Sequence, residues 1–191
     1  AATAEDYEKI CRFAAGNGTT SWLCSVLTDT KEQTCRCIDE FKKHQQMEQK
    51  GANLLGIHLE GPYFSLEQRG AQDPQYIKVP AKDDYKKLLD ASDDIIRMSA
   101  APELEGAMEL ADELKARGIL ASIGHSDATY AHVIEAWERG YTHVTHLYSG
   151  MSTITRKSGF RHLGVIESSY AIEDLTVEII ADGCHLPIEL L

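Results

Sequence analysis

The stretch GIHLEGP, residues 56–62, sets a glutamate directly behind a short apolar run and ends in a Gly-Pro turn. Three later stretches repeat this plan with a histidine in or after the apolar run: SIGHSDA at 122–128, THVTHLY at 142–148 and EIIADGCH at 178–185, which also begins with a glutamate. Short apolar runs without strict alternation are typical of strands covered on both faces, as in parallel sheets. The sequence therefore predicts parallel strands that each deliver a carboxylate or an imidazole at one end.

Six such strands are predicted, and amphipathic helices alternate with them. The apolar runs cover residues 20–27, 53–59, 95–100, 119–123, 141–145 and 175–181, and the helical patterns cover 3–15, 30–50, 83–92, 102–117 and 127–139. This alternation predicts an α/β architecture with a parallel sheet, either an open doubly wound sheet or a (βα)8 barrel. No Gly-x-Gly-x-x-Gly follows a strand, and the polar motifs cluster at strand ends as in barrel enzymes. We expect a partial TIM (βα)8 barrel of about six strands, with residues 1–191 forming one incomplete catalytic-domain fragment.

The composition argues against nucleic-acid binding, membrane insertion and a disulfide-stabilised fold. The chain has 30 acidic and 19 basic residues, a net charge of −11, which argues against nucleic-acid partners and an anionic membrane surface. No run approaches the roughly 20 apolar residues of a membrane span, and no signal peptide opens the sequence. The cysteine count is odd and the spacing fits no disulfide framework, so we expect free thiols in a reducing cytoplasm. The cysteines are Cys11, Cys24, Cys35, Cys37 and Cys184.

Glu60, His125 and His146 each follow a predicted strand. If the strands share one barrel, these side chains converge above its mouth, and two imidazoles with one carboxylate are a common first shell for a catalytic divalent ion. Mixed His and Glu ligands suit zinc, iron or manganese. The alternative is that each histidine is an ordinary hydrogen-bonded residue of the core. His143 is expected to face the helices, and Asp127 is expected to cap the helix that follows it.

The same motifs carry a family resemblance. The sequences HLEGPY (58–63) with RGAQ (69–72), GHSDA (124–128), THLYSGM (145–151) and EIIADGCH (178–185) resemble, in order and spacing, four signatures of the N-acetylglucosamine-6-phosphate deacetylases of the amidohydrolase superfamily. The similarity runs from about residue 18 to the end. It implies metal-dependent hydrolysis of the acetamide of N-acetylglucosamine 6-phosphate, giving glucosamine 6-phosphate and acetate in amino-sugar catabolism.

The resemblance also implies roles for particular residues. Glu60, His125 and His146 match metal ligands, and the positions that match substrate-binding residues are Ala71, Ser149, Gly150, Lys157 and His185. Ser149 stands where the family has Asn, so only a backbone contact is expected there. Lys157, or Arg156 in its place, matches a basic residue that reaches the sugar phosphate, often from a partner subunit, which implies a homodimer. The alternative for this basic pair is a solvated loop.

The resemblance further implies two parts that lie outside residues 1–191. One is a strand bearing His-x-His or its equivalent, and the other is a catalytic Asp beyond Leu191 that would transfer the proton. No catalytic residue is therefore expected within the chain, and the chain is expected to be inactive alone. Two other interpretations stay open: a domain fragment that at most binds metal or sugar phosphate, and another hydrolase of the same superfamily, such as a dihydroorotase or a deaminase.

Overall fold

The structure, a computed structural model, describes residues 2–191 and is organised around a six-stranded parallel sheet. The order of the strands is β1-β2-β3-β4-β5-β8, so neighbours in the chain are neighbours in the sheet until a small hairpin intervenes. The sheet strands are Ser21–Leu27 (β1), Asn53–Glu60 (β2), Ile95–Ala100 (β3), Leu120–Ile123 (β4), Tyr141–Val144 (β5) and Thr176–Val177 (β8). The separate antiparallel hairpin consists of Thr155–Lys157 (β6) and Phe160–His162 (β7).

Helices connect the strands and cover one face of the sheet. They are Ala4–Gly16 (α1), Lys31–Gln45 (α2), Lys82–Leu89 (α3), Ala107–Ala116 (α4), Tyr130–Arg139 (α5) and Val165–Ala171 (α6). Threonine hydroxyls at Thr3 and Thr30 accept hydrogen bonds from the first turns of α1 and α2, which satisfies backbone donors that a helix leaves unpaired. Gly118 follows α4 with φ +69°, the left-handed conformation expected of a glycine that ends a helix.

The two faces of the sheet differ in polarity. The helix-covered face carries fully buried apolar side chains such as Ile57, Ile123 and Val144. The opposite, concave face carries a hydroxyl cluster, in which Thr145 Oγ1 lies 2.6 Å from both Ser99 Oγ and Ser122 Oγ. The sheet is thus a curled half-barrel of six strands, with an apolar layer beneath the helices and a polar layer inside the curve.

The fold confirms the predicted class but moves several boundaries. The sixth strand was expected over 175–181 and spans two residues, because β5 ends at Val144 and gives residues 179–181 no strand to pair with. The fourth helical pattern begins at Ala107, since Gly106 adopts φ +82° just before it. Helix α6 and the β6–β7 hairpin were not predicted. Among residues 2–191, no helix is long and apolar enough to cross a membrane, and all five cysteines are free thiols, as expected.

Candidate metal centre

Glu60 is the last residue of β2, and the turn after it fixes its direction. Gly61 follows with φ +96°, and a Cβ there would lie 2.2 Å from Thr28 Oγ1, so only glycine fits this turn. Thr28 Oγ1 donates to the Glu60 backbone oxygen at 3.0 Å, and Gln72 Nε2 donates to the carboxylate Oε1 at 3.2 Å. The carboxylate therefore points over the end of the sheet with one oxygen already oriented.

His125 follows β4 in a left-handed backbone conformation, with φ +46°. Its ring Nδ1 lies 2.9 Å from the carbonyl oxygen of Gln68. A carbonyl oxygen can only accept, so Nδ1 carries a proton, and in the uncharged form of the ring the lone pair of Nε2 points inward. That Nε2 lies 3.0 Å from Glu60 Oε1.

His146 follows β5 and also adopts a left-handed conformation, with φ +35°. Its Nε2 lies 3.3 Å from Glu60 Oε1 and 3.2 Å from His125 Nε2. Its other ring nitrogen, Nδ1, is buried and has no hydrogen-bond partner among the residues described. The three predicted ligands thus converge at one end of the sheet, and their donor atoms all lie within 4.8 Å of one another.

The electrostatics of this cluster fit a cation. Burial alone would raise the pKa of Glu60, but the adjacent rings of His125 and His146 bring it below its usual range. Burial likewise opposes the charged ring of His146, yet the adjacent Glu60 carboxylate raises its pKa overall. When the His125 ring is uncharged, its Nε2 and Glu60 Oε1 face each other as acceptors, an arrangement that a metal ion between them would stabilise. Two imidazoles and a carboxylate around one point are a possible site for a divalent metal.

Two further carboxylates hold the histidine turns, and the sequence reasoning had given neither a role. Glu103 accepts from Ser126 Oγ at 2.7 Å and from the Asp127 backbone N–H at 2.5 Å, both next to His125. Glu178 accepts from the backbone N–H of His146 at 3.2 Å. A signal for Glu103 was present, since it lies three residues after β3 in the motif APE at 101–103, near the same end of the sheet where Glu60 ends β2.

Three predicted substrate-binding positions lie beside the cluster. A Cβ on Gly150 would approach His125 Nδ1 to 2.9 Å, so this backbone runs directly against the ligand ring. Ser149 donates its backbone N–H to the His146 carbonyl at 2.9 Å. Ala71 precedes Gln72, whose side chain contacts Glu60. These backbone segments therefore adjoin residues that contact or belong to the cluster.

The other two positions have no contact with the cluster. Lys157 is exposed on β6, next to the equally exposed Arg156, and forms no salt bridge within residues 2–191. His185 is exposed, and its Nδ1 lies 2.8 Å from Asp182 Oδ2 in a local turn. Their predicted roles in substrate binding therefore remain predictions.

Two expectations about neighbouring residues were wrong. His143 does not face the helices: its Nε2 lies 3.7 Å from Glu178 Oε2 on the concave face, because Val144 takes the helix-covered side. Asp127 does not cap α5. Its carboxylate accepts from Gln68 Nε2 at 2.9 Å, and Thr129 is the residue at the N-terminus of the helix.

Comparisons with known proteins agree with this geometry. The sequence profile of the amidohydrolase family matches residues 1–191. An N-acetylglucosamine-6-phosphate deacetylase of Bacillus subtilis is 36% identical over 172 residues, covering 88% of this chain and 42% of the relative. An N-acetylgalactosamine-6-phosphate deacetylase of a Shewanella species is 33% identical over 175 residues, covering 91% and 43%.

A crystal structure of the N-acetyl-D-glucosamine-6-phosphate deacetylase of Mycobacterium smegmatis superposes with a TM-score of 0.86 at 28% identity. The superposition covers 96% of this chain and 47% of the other. The chain therefore spans less than half the length of these relatives.

Proposed function

The chain belongs to the amidohydrolase family, and from that premise we propose that it forms the metal-binding part of an N-acetylglucosamine-6-phosphate deacetylase. The complete protein would hydrolyse the acetamide of N-acetylglucosamine 6-phosphate to glucosamine 6-phosphate and acetate. The observation that carries the proposal is the convergence of Glu60, His125 and His146 within 4.8 Å. The deacetylases named among its relatives support the choice of reaction.

In this proposal, Glu60 Oε1 and the Nε2 atoms of His125 and His146 hold one divalent ion, which is zinc, iron or manganese. When bound, such an ion acts as a Lewis acid and supplies a nucleophile at neutral pH. Gln68 keeps the His125 ring in the tautomer that leaves Nε2 free to coordinate. Gln72 holds the Glu60 carboxylate in place from the other side.

The substrate would lie along the backbone beside the cluster. Ala71, Ser149 and Gly150 would offer main-chain groups to the sugar phosphate, since Gly150 leaves space for close approach. His185 would contact the acetamide, and Lys157 would reach the phosphate of a partner subunit's substrate. This arrangement implies a homodimer, and the soluble sugar phosphate together with free thiols favours a cytoplasmic location.

Proton transfer needs a group that the cluster does not supply from residues 2–191. The carboxylate of Asp127 is occupied by Gln68, and that of Asp182 by His185. We therefore propose that the chain alone binds metal and sugar phosphate without turning the substrate over.

A second substrate has a specific observation in its favour. The relative from Shewanella is named an N-acetylgalactosamine-6-phosphate deacetylase and is nearly as similar as the B. subtilis enzyme. The two sugars differ only in the configuration of one ring hydroxyl, which the metal cluster itself would not distinguish. Both sugars are thus candidates, and the glucosamine derivative is the one that the sequence motifs favour.

The test is calorimetric titration of the metal-free chain with Zn²⁺, followed by titration of the zinc-loaded chain with each N-acetylated sugar 6-phosphate and an assay for released acetate. One zinc per chain, sugar-phosphate binding and no acetate are expected. The control His162→Asn removes an exposed histidine of β7 and should leave zinc binding unchanged.

Two results would count against the proposal. A chain that binds neither zinc nor sugar phosphate would contradict the metal centre. Acetate release at a rate typical of a complete enzyme would contradict the expectation that an essential proton-transfer group is missing.

A further inference from the structure

We propose that Glu178, oriented by Arg97, is the residue that positions the ligand His146. This role rests on the proposed metal centre, yet it concerns how the protein fixes the ligand and can be measured without metal. Glu178 comes directly after β8, at the edge of the sheet, and its side chain turns back over the concave face.

Three hydrogen bonds join Glu178 to the turn that carries His146. The backbone N–H of Glu178 donates to the Val144 carbonyl at 3.0 Å, and the backbone N–H of Leu147 donates to the Glu178 carbonyl at 2.8 Å. Between them, the His146 N–H donates to the Glu178 carboxylate at 3.2 Å. Glu178 is thus hydrogen-bonded to the turn at Val144, at His146 itself and at Leu147.

The conformation of the turn requires such support. His146 has φ +35° and Tyr148 has φ +79°. Both lie in the left-handed region, which residues other than glycine rarely adopt. Strained backbone persists only where neighbouring groups enforce it. The His146 ring is held on one side only, because its Nε2 lies near Glu60 and His125 whereas its buried Nδ1 has no partner within residues 2–191.

Arg97 in turn fixes the carboxylate. Its Nη1 donates to Glu178 Oε2 at 2.7 Å and its Nη2 to Oε1 at 2.8 Å, a fork that sets the plane of the carboxylate. Nη2 also donates to Thr145 Oγ1 at 2.7 Å. Arg97 is on β3, which does not neighbour β8, so the pair crosses the concave face above β4 and β5.

The alternative is that this ion pair only braces the curled sheet. A brace would affect the whole sheet when lost, whereas a positioning residue affects the His146 turn first. A brace of the sheet would not require the hydrogen bond from the His146 N–H to Glu178 Oε1, whereas the positioning of His146 depends on it.

Amide hydrogen exchange on the metal-free chain separates the two accounts. Glu178→Ala should speed exchange in residues 145–148 roughly tenfold, about the effect of losing one charge-assisted hydrogen bond, and leave 125–128 unchanged. In Glu178→Gln, the amide oxygen still accepts from the His146 N–H, so most of the protection should return. Glu113→Ala, which removes a partly buried carboxylate of α4 paired with Arg117, is the matched control and should change neither segment.

The Kd for Zn²⁺, measured on the same proteins, should rise about 10- to 100-fold in Glu178→Ala, as for other partners of metal ligands. Unchanged exchange at 145–148, or equal acceleration across all strands, would overturn the positioning role. If Glu178→Ala does not fold, Glu178→Gln decides: a small acceleration confined to 145–148 supports the proposal, whereas no acceleration there, or equal acceleration in every strand, contradicts it. A wild-type chain that binds no zinc would refute the metal centre, while the exchange result would still decide on Glu178.

Discussion

The turns that carry His125 and His146 adopt similar left-handed conformations but are held in different ways. The His125 ring is fixed directly, because Nδ1 donates to the Gln68 carbonyl, and Glu103 holds the two residues that follow. The His146 ring has no such partner on Nδ1, and its position depends on the backbone contact with Glu178. One ligand is oriented through its side chain and the other through its main chain.

The two supporting carboxylates also differ in charge environment. Burial raises the pKa of Glu103, and the hydrogen bonds from Ser126 and Asp127 only partly offset it. Burial has the same effect on Glu178, but His143 and Arg97 outweigh it and bring its pKa below the usual range. The His146 turn is therefore supported by the Arg97–Glu178 ion pair. The His125 turn is supported by Glu103, whose charged form is destabilised by burial.

Removal of either histidine ring should weaken Zn²⁺ binding more than any other substitution considered, and by a similar factor at both turns. His125→Asn and His146→Asn should each weaken Zn²⁺ binding by more than about 100-fold, since each removes a ligand rather than a supporting partner. Calorimetric titration measures this. Near-wild-type affinity in either variant would exclude that ring from the centre and break the comparison.

Glu103→Ala should mirror Glu178→Ala at the other turn. We expect roughly tenfold faster amide exchange in residues 125–128, no change in 145–148, and about tenfold weaker zinc binding. Exchange measured by mass spectrometry on both segments provides an internal control. Acceleration in both segments would mean that the two turns are one coupled unit.

Gly150→Ala should disturb only the His125 turn. The new Cβ would lie 2.9 Å from both Gln68 O and His125 Nδ1, the two atoms of the hydrogen bond that sets the ring. Overpacking and a strained φ of +59° together should lower the free energy of unfolding by about 2–4 kcal/mol.

Gly118→Ala is the matched control for that substitution. Its φ is +69°, and a Cβ there would meet nothing within 4 Å, so it carries the backbone strain without the clash. Denaturant unfolding should give a loss of about 1 kcal/mol for this variant. Equal losses at Gly118 and Gly150 would remove the argument that Gly150 is pressed against the ligand ring.

The smallest expected effect is on the pH dependence of Tm, which should change in opposite directions when Glu178 and Glu103 are replaced. Glu178 has a lowered pKa, so its contribution is present above the ordinary value of 4.5 and is lost as the pH falls. Glu103 has a raised pKa, so its contribution is present at low pH and is lost as the pH rises. Between about pH 4 and pH 7, the Tm of Glu178→Gln should fall relative to wild type and that of Glu103→Gln should rise. Slopes of the same sign would contradict this assignment.

The convergence of Glu60, His125 and His146 could be predicted from their positions after apolar runs, because parallel topology brings strand ends to one edge. Their proposed role as metal ligands also came from the family resemblance of the motifs. The Arg97–Glu178 pair could not be predicted, since these two side chains meet only through the curvature of the sheet and are 81 positions apart in the chain. The error on His143 has a related cause, because its direction depends on which face of β5 the helices cover.

X-ray absorption spectroscopy of the zinc-loaded chain tests the central claim most directly. Zinc held by Glu60, His125 and His146 predicts one zinc per chain with nitrogen and oxygen scatterers at about 2.0–2.1 Å and imidazole outer-shell features. Zinc bound instead by the free cysteines would show sulfur at about 2.3 Å. A sulfur shell, or the absence of stoichiometric zinc, would contradict the metal centre and the function proposed from it.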